Sequence, residues 1–283
     1  MSLDQLLLAA GTVQAVPFFD RLVPAREAGF VGISIFAADL EQLDQQGVSH
    51  REVRDRVADA GLFIHEVEIV GNWLPGEPTK ANPGWLAALL QRSTPERLID
   101  LAEAVGARGV SVGELQGVAW TIDAGVDAFA AICDRAAPAG LHVALEYVPT
   151  GTIPDLATAW DLVRLTGRDN GGLLVDSWHQ FRSGSSLDLL AALPAGAIKS
   201  VQICDAPAAA SDDLDSEMIQ GRLLPGDGGL DLQGFVAALR ATGTTAPCSV
   251  EVFSATLATK PVDEIARLCA EKADGILKGS RHG

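Results

Sequence analysis

Eight apolar, β-branched stretches recur along the chain, each followed by an amphipathic segment rich in Ala, Leu and charged residues. This alternation of a two-residue with a 3.6-residue period restricts the fold more than any single motif does. The predicted strands are Leu6 to Ala10, Val31 to Phe36, Leu62 to Val70, Gly109 to Gly113, Leu141 to Tyr147, Gly172 to Asp176, Ile198 to Cys204 and Cys248 to Phe253. The helical segments carry their own start and stop signals. In STPERLIDLAEAVGARG (93–109), Ser or Thr precedes Pro95 and Gly106 follows the last apolar position; Gly140 and Gly243 end two further segments in the same way. Eight such units within 283 residues favour an α/β fold of the closed (β/α)8 TIM barrel type over an open doubly wound sheet. No GxGxxG opens the first turn to speak for dinucleotide binding. No linker or low-complexity tract breaks the pattern, so one barrel domain spanning 1–283 is expected, with the polar stretch 206–221 as a barrel loop.

At 48% hydrophobic the chain has the material for a large core. Its formal net charge of -16, from 21 basic and 37 acidic residues, gives no global field for neutralising phosphates, so no nucleic-acid partner is expected. The first residues lack a basic segment leading into a long apolar one, and no apolar run approaches the length of a membrane span. A cytoplasmic protein with no membrane partner is the expectation. Cys133, Cys204, Cys248 and Cys269 show no CxxC spacing and read as small core residues.

In such barrels the chemistry lies at the C-terminal ends of the strands. Four successive predicted strands carry a polar residue there: Glu146 in LHVALEYV, Asp176 in GGLLVDSWH, Gln202 in IKSVQICDA and Glu251 in CSVEVFS. Each is about one βα unit from the next, except that the polar stretch 206–221 lengthens the last interval. Alternation turns Ala144 and His142 inward with Glu146, Leu174 and Gly172 with Asp176, Ser200 with Gln202, and Ser249 with Glu251. One acid at a strand end is often a helix cap or an arginine partner. Three carboxylates and an amide in register, converging in a space of low dielectric, call for a cation among them. An all-oxygen set of this kind suits Mn2+ or Mg2+, with Co2+ and Zn2+ as further candidates.

The order Glu, Asp with a His three positions on, Gln or His, then Glu, on strands five to eight, resembles the xylose isomerase-like superfamily of sugar phosphate isomerases and epimerases. VQICDAP, GRLLPGDGGLDLQGF and SVEVF are similar to the C-terminal third of its bacterial members; the likeness is in sequence from about 140 to 255 and architectural before that. It implies Glu146, Asp176, Gln202 and Glu251 as metal ligands, His179 as a contact to substrate or metal-bound water, and Arg222 as a substrate-binding residue. Many relatives have His where this chain has Gln202; some that resemble 3-dehydroshikimate dehydratases have Gln. Dimers or tetramers are common in the family, so a homo-oligomer is a further expectation.

A divalent ion holding a carbonyl oxygen and an adjacent hydroxyl acidifies the hydrogen between them. Glu146 and Glu251, on strands three apart, are placed to flank a substrate and move its proton. The leading expectation is therefore a sugar or keto-polyol isomerase or epimerase working by proton transfer, with a small-molecule substrate. The alternative is a dehydratase or lyase of a cyclic polyhydroxy ketone, an inosose or a 3-dehydroshikimate-like acid. A phosphodiesterase resembling the apurinic-site endonucleases is disfavoured by five histidines and the acidic balance. A non-catalytic sugar-binding role is the remaining class. Trp178 and Trp73 are candidates for a pocket wall or for packing. Glu68 and Glu114, at the ends of strands three and four, are candidates for substrate hydroxyls or for salt bridges and caps. Asp205 is expected to orient Arg222 or its loop, His65 and His142 to be satisfied core or interfacial residues, and Lys199, out of phase with Gln202, to face the helices. PGDGG reads as a tight turn with positive φ at Gly226 and Gly228.

Overall fold

The β-branched runs form strands β1 (Leu6–Leu8), β2 (Gly32–Phe36), β3 (Ile64–Val70), β4 (Gly109–Gly113), β5 (His142–Glu146), β6 (Gly171–Asp176), β7 (Ile198–Ile203) and β8 (Cys248–Val250). In the computed structural model, which describes residues 2–279, they pair in parallel in sequence order, and β8 closes on β1 with Leu7 opposite Ser249. The expected (β/α)8 barrel is the fold. Among the described residues, no helix is long and apolar enough to cross a membrane.

The helix Pro95–Val105 shows how the connections are specified. Thr94 accepts a hydrogen bond from the Arg97 N–H at 3.4 Å, Pro95 occupies the first turn, and Gly106 ends the helix at φ 69°. Its buried Leu98, Ile99, Ala102 and Val105 recur at helical spacing and form one apolar stripe. Gly140 and Gly243 adopt positive φ at 69° and 73°, as their positions predict.

Four local departures from the predicted pattern have physical causes. β1 ends where the Ala10 N–H turns to Ser34 Oγ at 2.8 Å, and β8 ends where Thr12 takes over the ladder. Its Oγ1 donates to the Val250 carbonyl at 2.9 Å and accepts from the Val252 N–H at 2.8 Å. The register between β6 and β7 runs from Leu173 opposite Ile198 to Leu174 opposite Ser200, which leaves Lys199 as the extra residue. Lys199 therefore lies across Gly172 and donates to the Asp169 carbonyl at 2.7 Å, instead of facing the helices. Within 206–221 the chain forms a helix, Leu214–Gln220, tied down by Glu217. That carboxylate accepts from Trp178 Nε1 at 2.8 Å, Arg182 Nε at 2.6 Å and the Ser211 N–H at 2.7 Å.

Asp205 organises the loop after β7. It accepts from the N–H groups of Gly226 and Gly228 at 3.0 Å each and of Leu230 at 3.1 Å. Of Gly226 and Gly228, the former alone has positive φ, at 85°. Gly228 is required for a different reason, since a Cβ there would run into the Ala206 carbonyl and the Asp205 carboxylate.

Candidate active site

The C-terminal mouth of the barrel opens into a cavity of about 440 Å3, within the range of small-molecule sites. Glu68, Glu146, His179, Gln202, Arg222 and Glu251 line it, together with Phe36, Ile69, Leu86 and Leu89 as apolar walls. Parallel pairing sets the polar residues side by side: Asp176 lies opposite Gln202, and Gln202 opposite Ser249, two positions before Glu251. Glu146, Asp176 and Glu251 are all buried and bring carboxylate oxygens within 4.8 Å of one another.

Asp176 combines two roles that the sequence offers as alternatives. Its Oδ1 caps the helix Ser177–Arg182 by accepting from the His179 N–H at 3.1 Å, while Oδ2 accepts from Arg222 Nη1 at 2.9 Å. The cap directs the first helical turn back over the site, so His179 Nε2 reaches Glu146 Oε1 at 3.2 Å. Arg222 is buried and also approaches Glu251 Oε2 at 3.3 Å; its Nε donates to the Met218 carbonyl at 2.8 Å. The guanidinium lies over the rings of Trp178 and Phe253, at 5.4 and 5.1 Å from their centroids.

Charge and polarity point the same way. Arg222 is the one cation paired with Asp176 and Glu251 among the described contacts, against three clustered carboxyl groups. Burial pushes the Glu251 carboxyl well up; Arg222 opposes that rise, and Glu68, Glu146 and Asp176 add to it. Gln202 donates through Nε2 to Glu251 Oε1 at 3.1 Å, but its Oε1 is buried without a partner. An orphaned buried oxygen beside three carboxylates is the donor set a divalent cation completes. The residues present therefore fit such an ion. Burial raises the Glu68 carboxyl on the cavity wall to about 8, partly offset by a hydrogen bond with Ser34.

Other expected residues fall elsewhere. Trp178 is fully buried beneath His179, in a T-shaped contact at 5.2 Å, and does not line the cavity. Trp73 is likewise buried, donating to the Gly113 carbonyl at 2.9 Å. Glu114 joins two loops, accepting from the N–H groups of Gln116 and Thr152 at 2.8 Å each. Two groups at the mouth escaped sequence reading. Asp39 lines the cavity and is held by Arg21 through hydrogen bonds of 3.0 and 2.6 Å; its signal was its place three residues after Phe36, where it accepts from the Phe36 N–H at 3.2 Å. Arg92 ends the helix Gly84–Arg92 over the cavity and lies in no motif.

Known proteins share this architecture. The family model of the xylose isomerase-like TIM barrel matches residues 22–272. A 3-dehydroshikimate dehydratase of Pseudomonas aeruginosa is 33% identical over 243 residues, 83% of this chain and 36% of that protein, so the chain spans about a third of that relative's length. An inosose isomerase of Bacillus subtilis is 33% identical over 132 residues, 45% of this chain and 46% of that protein. The crystal structure of the IOLI protein with a bound zinc atom superposes with a TM-score of 0.82 at 19% identity, covering 97% of this chain and 98% of that one. The chain belongs to the xylose isomerase-like TIM barrel family.

Proposed function

We propose that the protein is a divalent-metal-dependent enzyme that removes a proton beside the carbonyl of a cyclic polyhydroxy ketone, and that loss of a β-hydroxyl as water follows. The observation that carries this reading is the convergence of Glu146, Asp176 and Glu251 around the unpartnered Gln202 Oε1. Bound through those four residues, a divalent ion supplies Lewis-acid polarisation of the substrate carbonyl. The oxygen-only set favours Mn2+ or Mg2+. Asp176 anchors, since its two oxygens are already committed to the helix cap and Arg222.

Glu251 is the base that takes the proton from carbon. The 3.2 Å pair of His179 and Glu146 holds a proton for the departing hydroxyl, which leaves as water when its C–O bond breaks. Glu68, on the cavity wall, is placed to hydrogen-bond a substrate oxygen. Dehydration is placed ahead of isomerisation because the relative matched over 83% of the chain is a dehydratase, whereas the isomerase match covers 45%. Isomerisation keeps one specific support: Glu146 and Glu251 both line the cavity and so are placed to take a proton and return it.

The test is to incubate Mn2+-loaded protein in heavy water with 3-dehydroshikimate, inososes and ketoses, following each by proton NMR. Water loss from 3-dehydroshikimate is expected to produce aromatic proton signals. Deuterium uptake or carbonyl migration in an inosose or ketose, without water loss from any compound, would replace dehydration by isomerisation. No turnover of any member would overturn the reading.

A further inference from the structure

Beneath the cavity, the barrel interior holds a second set of donor atoms. The register between β2 and β3 runs from Ile33 opposite Ile64 to Ile35 opposite Val67, so β3 carries an extra residue at His65–Glu66. Both side chains consequently reach Ser200 on β7, across the barrel: Glu66 Oε2 accepts from Ser200 Oγ at 3.1 Å, and His65 Nε2 lies 3.4 Å from the same hydroxyl. His142, at the start of β5, adds Nε2 at 2.7 Å from Glu66 Oε1, and His65 Nε2 is 3.8 Å from that oxygen. The two imidazoles lie 4.9 Å apart between centroids. Gly109 makes room for the His142 ring, which a Cβ on β4 would strike.

We propose that this cluster is a second metal site, binding one zinc-class divalent ion through His65 Nε2, His142 Nε2 and Glu66 Oε1, with Ser200 Oγ beside it. Two imidazoles and a carboxylate form a borderline-soft donor set, unlike the all-oxygen set above, and suit Zn2+. The three donors already lie within 4.8 Å of one another, so small rotations bring them around one ion. His65 and Glu66 are buried, so water does not compete for their donor atoms. His65 Nδ1 is buried and has no hydrogen-bond partner. Entry is from the N-terminal face, where the His142 side chain is 17% exposed. Four residues of β5 separate His142 from Glu146, or roughly 13 Å of strand, which makes this site distinct from the upper one.

Zinc is the probe. Chelator-stripped protein loaded with excess Zn2+ and passed through gel filtration is expected to retain two equivalents in the wild type. The His65→Ala and His142→Gln variants should each retain one, and the Asp176→Ala/Glu251→Ala double variant should also retain one, at the floor. Co2+ bound to that double variant should show the intense visible d–d absorption of a four-coordinate site, lost on adding His142→Gln. A wild type that retains a single equivalent removed by the double variant would overturn the proposal. So would full retention by circular-dichroism-verified His65→Ala and His142→Gln, which would make the cluster a buried ion pair only. A failure of the upper site appears separately, as a double variant indistinguishable from wild type.

Discussion

Replacing Glu251 with Gln is expected to lower kcat about 100-fold or more while leaving most of the divalent-ion affinity in place. Gln keeps one of the two oxygens, which accept from Gln202 Nε2 and Arg222 Nη1 in the wild type, so the site loses a charge but retains one oxygen ligand from this position. What disappears is the group that takes the substrate proton. Burial raises the Glu251 carboxyl, and a divalent ion held at the site would keep it ionised at neutral pH, able to accept a proton. A Glu251→Gln enzyme that is ion-replete by elemental analysis and turns over at the wild-type rate would remove Glu251 from proton transfer.

Arg222→Met should have the largest effect on stability. The arginine is the cation closest to Asp176 and Glu251, at 2.9 and 3.3 Å, and all three residues are buried. Removing one partner of such a group leaves uncompensated buried charge, at a cost of about 3–5 kcal/mol. For a chain of this size that corresponds to a fall in Tm of roughly 10 °C in metal-free protein. Saturating Mn2+ should recover part of the loss, because the ion binds the folded state and neutralises the same carboxylates. Met fills much of the space against Trp178 and Phe253, so lost packing contributes little. A metal-free Tm within about 2 °C of the wild type would show that Arg222 does not bear this charge.

Much of the barrel is legible in sequence because its signals are local. Apolar period, Thr94 and Pro95 at a helix start, and Gly106, Gly140 and Gly243 at helix ends each act within a few residues. The four polar strand ends were legible for a related reason: parallel pairing converts similar positions on successive strands into one layer. The side chains that depend on register were not. Lys199 owes its direction to a single extra residue in β7, and an extra residue in β3 lets the neighbours His65 and Glu66 both reach Ser200, where alternation would turn only one of them inward. Arg222 was expected to contact substrate; it lines the cavity but is paired to Asp176 and Glu251, a consequence of the helix Leu214–Gln220 that carries the chain back over the mouth. Trp178 was equally open to packing, and its burial follows from Glu217 on that same helix accepting its indole N–H.

An ion held by Glu146, Asp176, Gln202 and Glu251 would show in Mn2+ binding to chelator-stripped protein, measured by electron paramagnetic resonance. The wild type and the His65→Ala variant should each bind one Mn2+ per chain tightly, and the Asp176→Ala/Glu251→Ala variant should bind none. Undiminished Mn2+ binding by that double variant would show that these residues do not hold the ion.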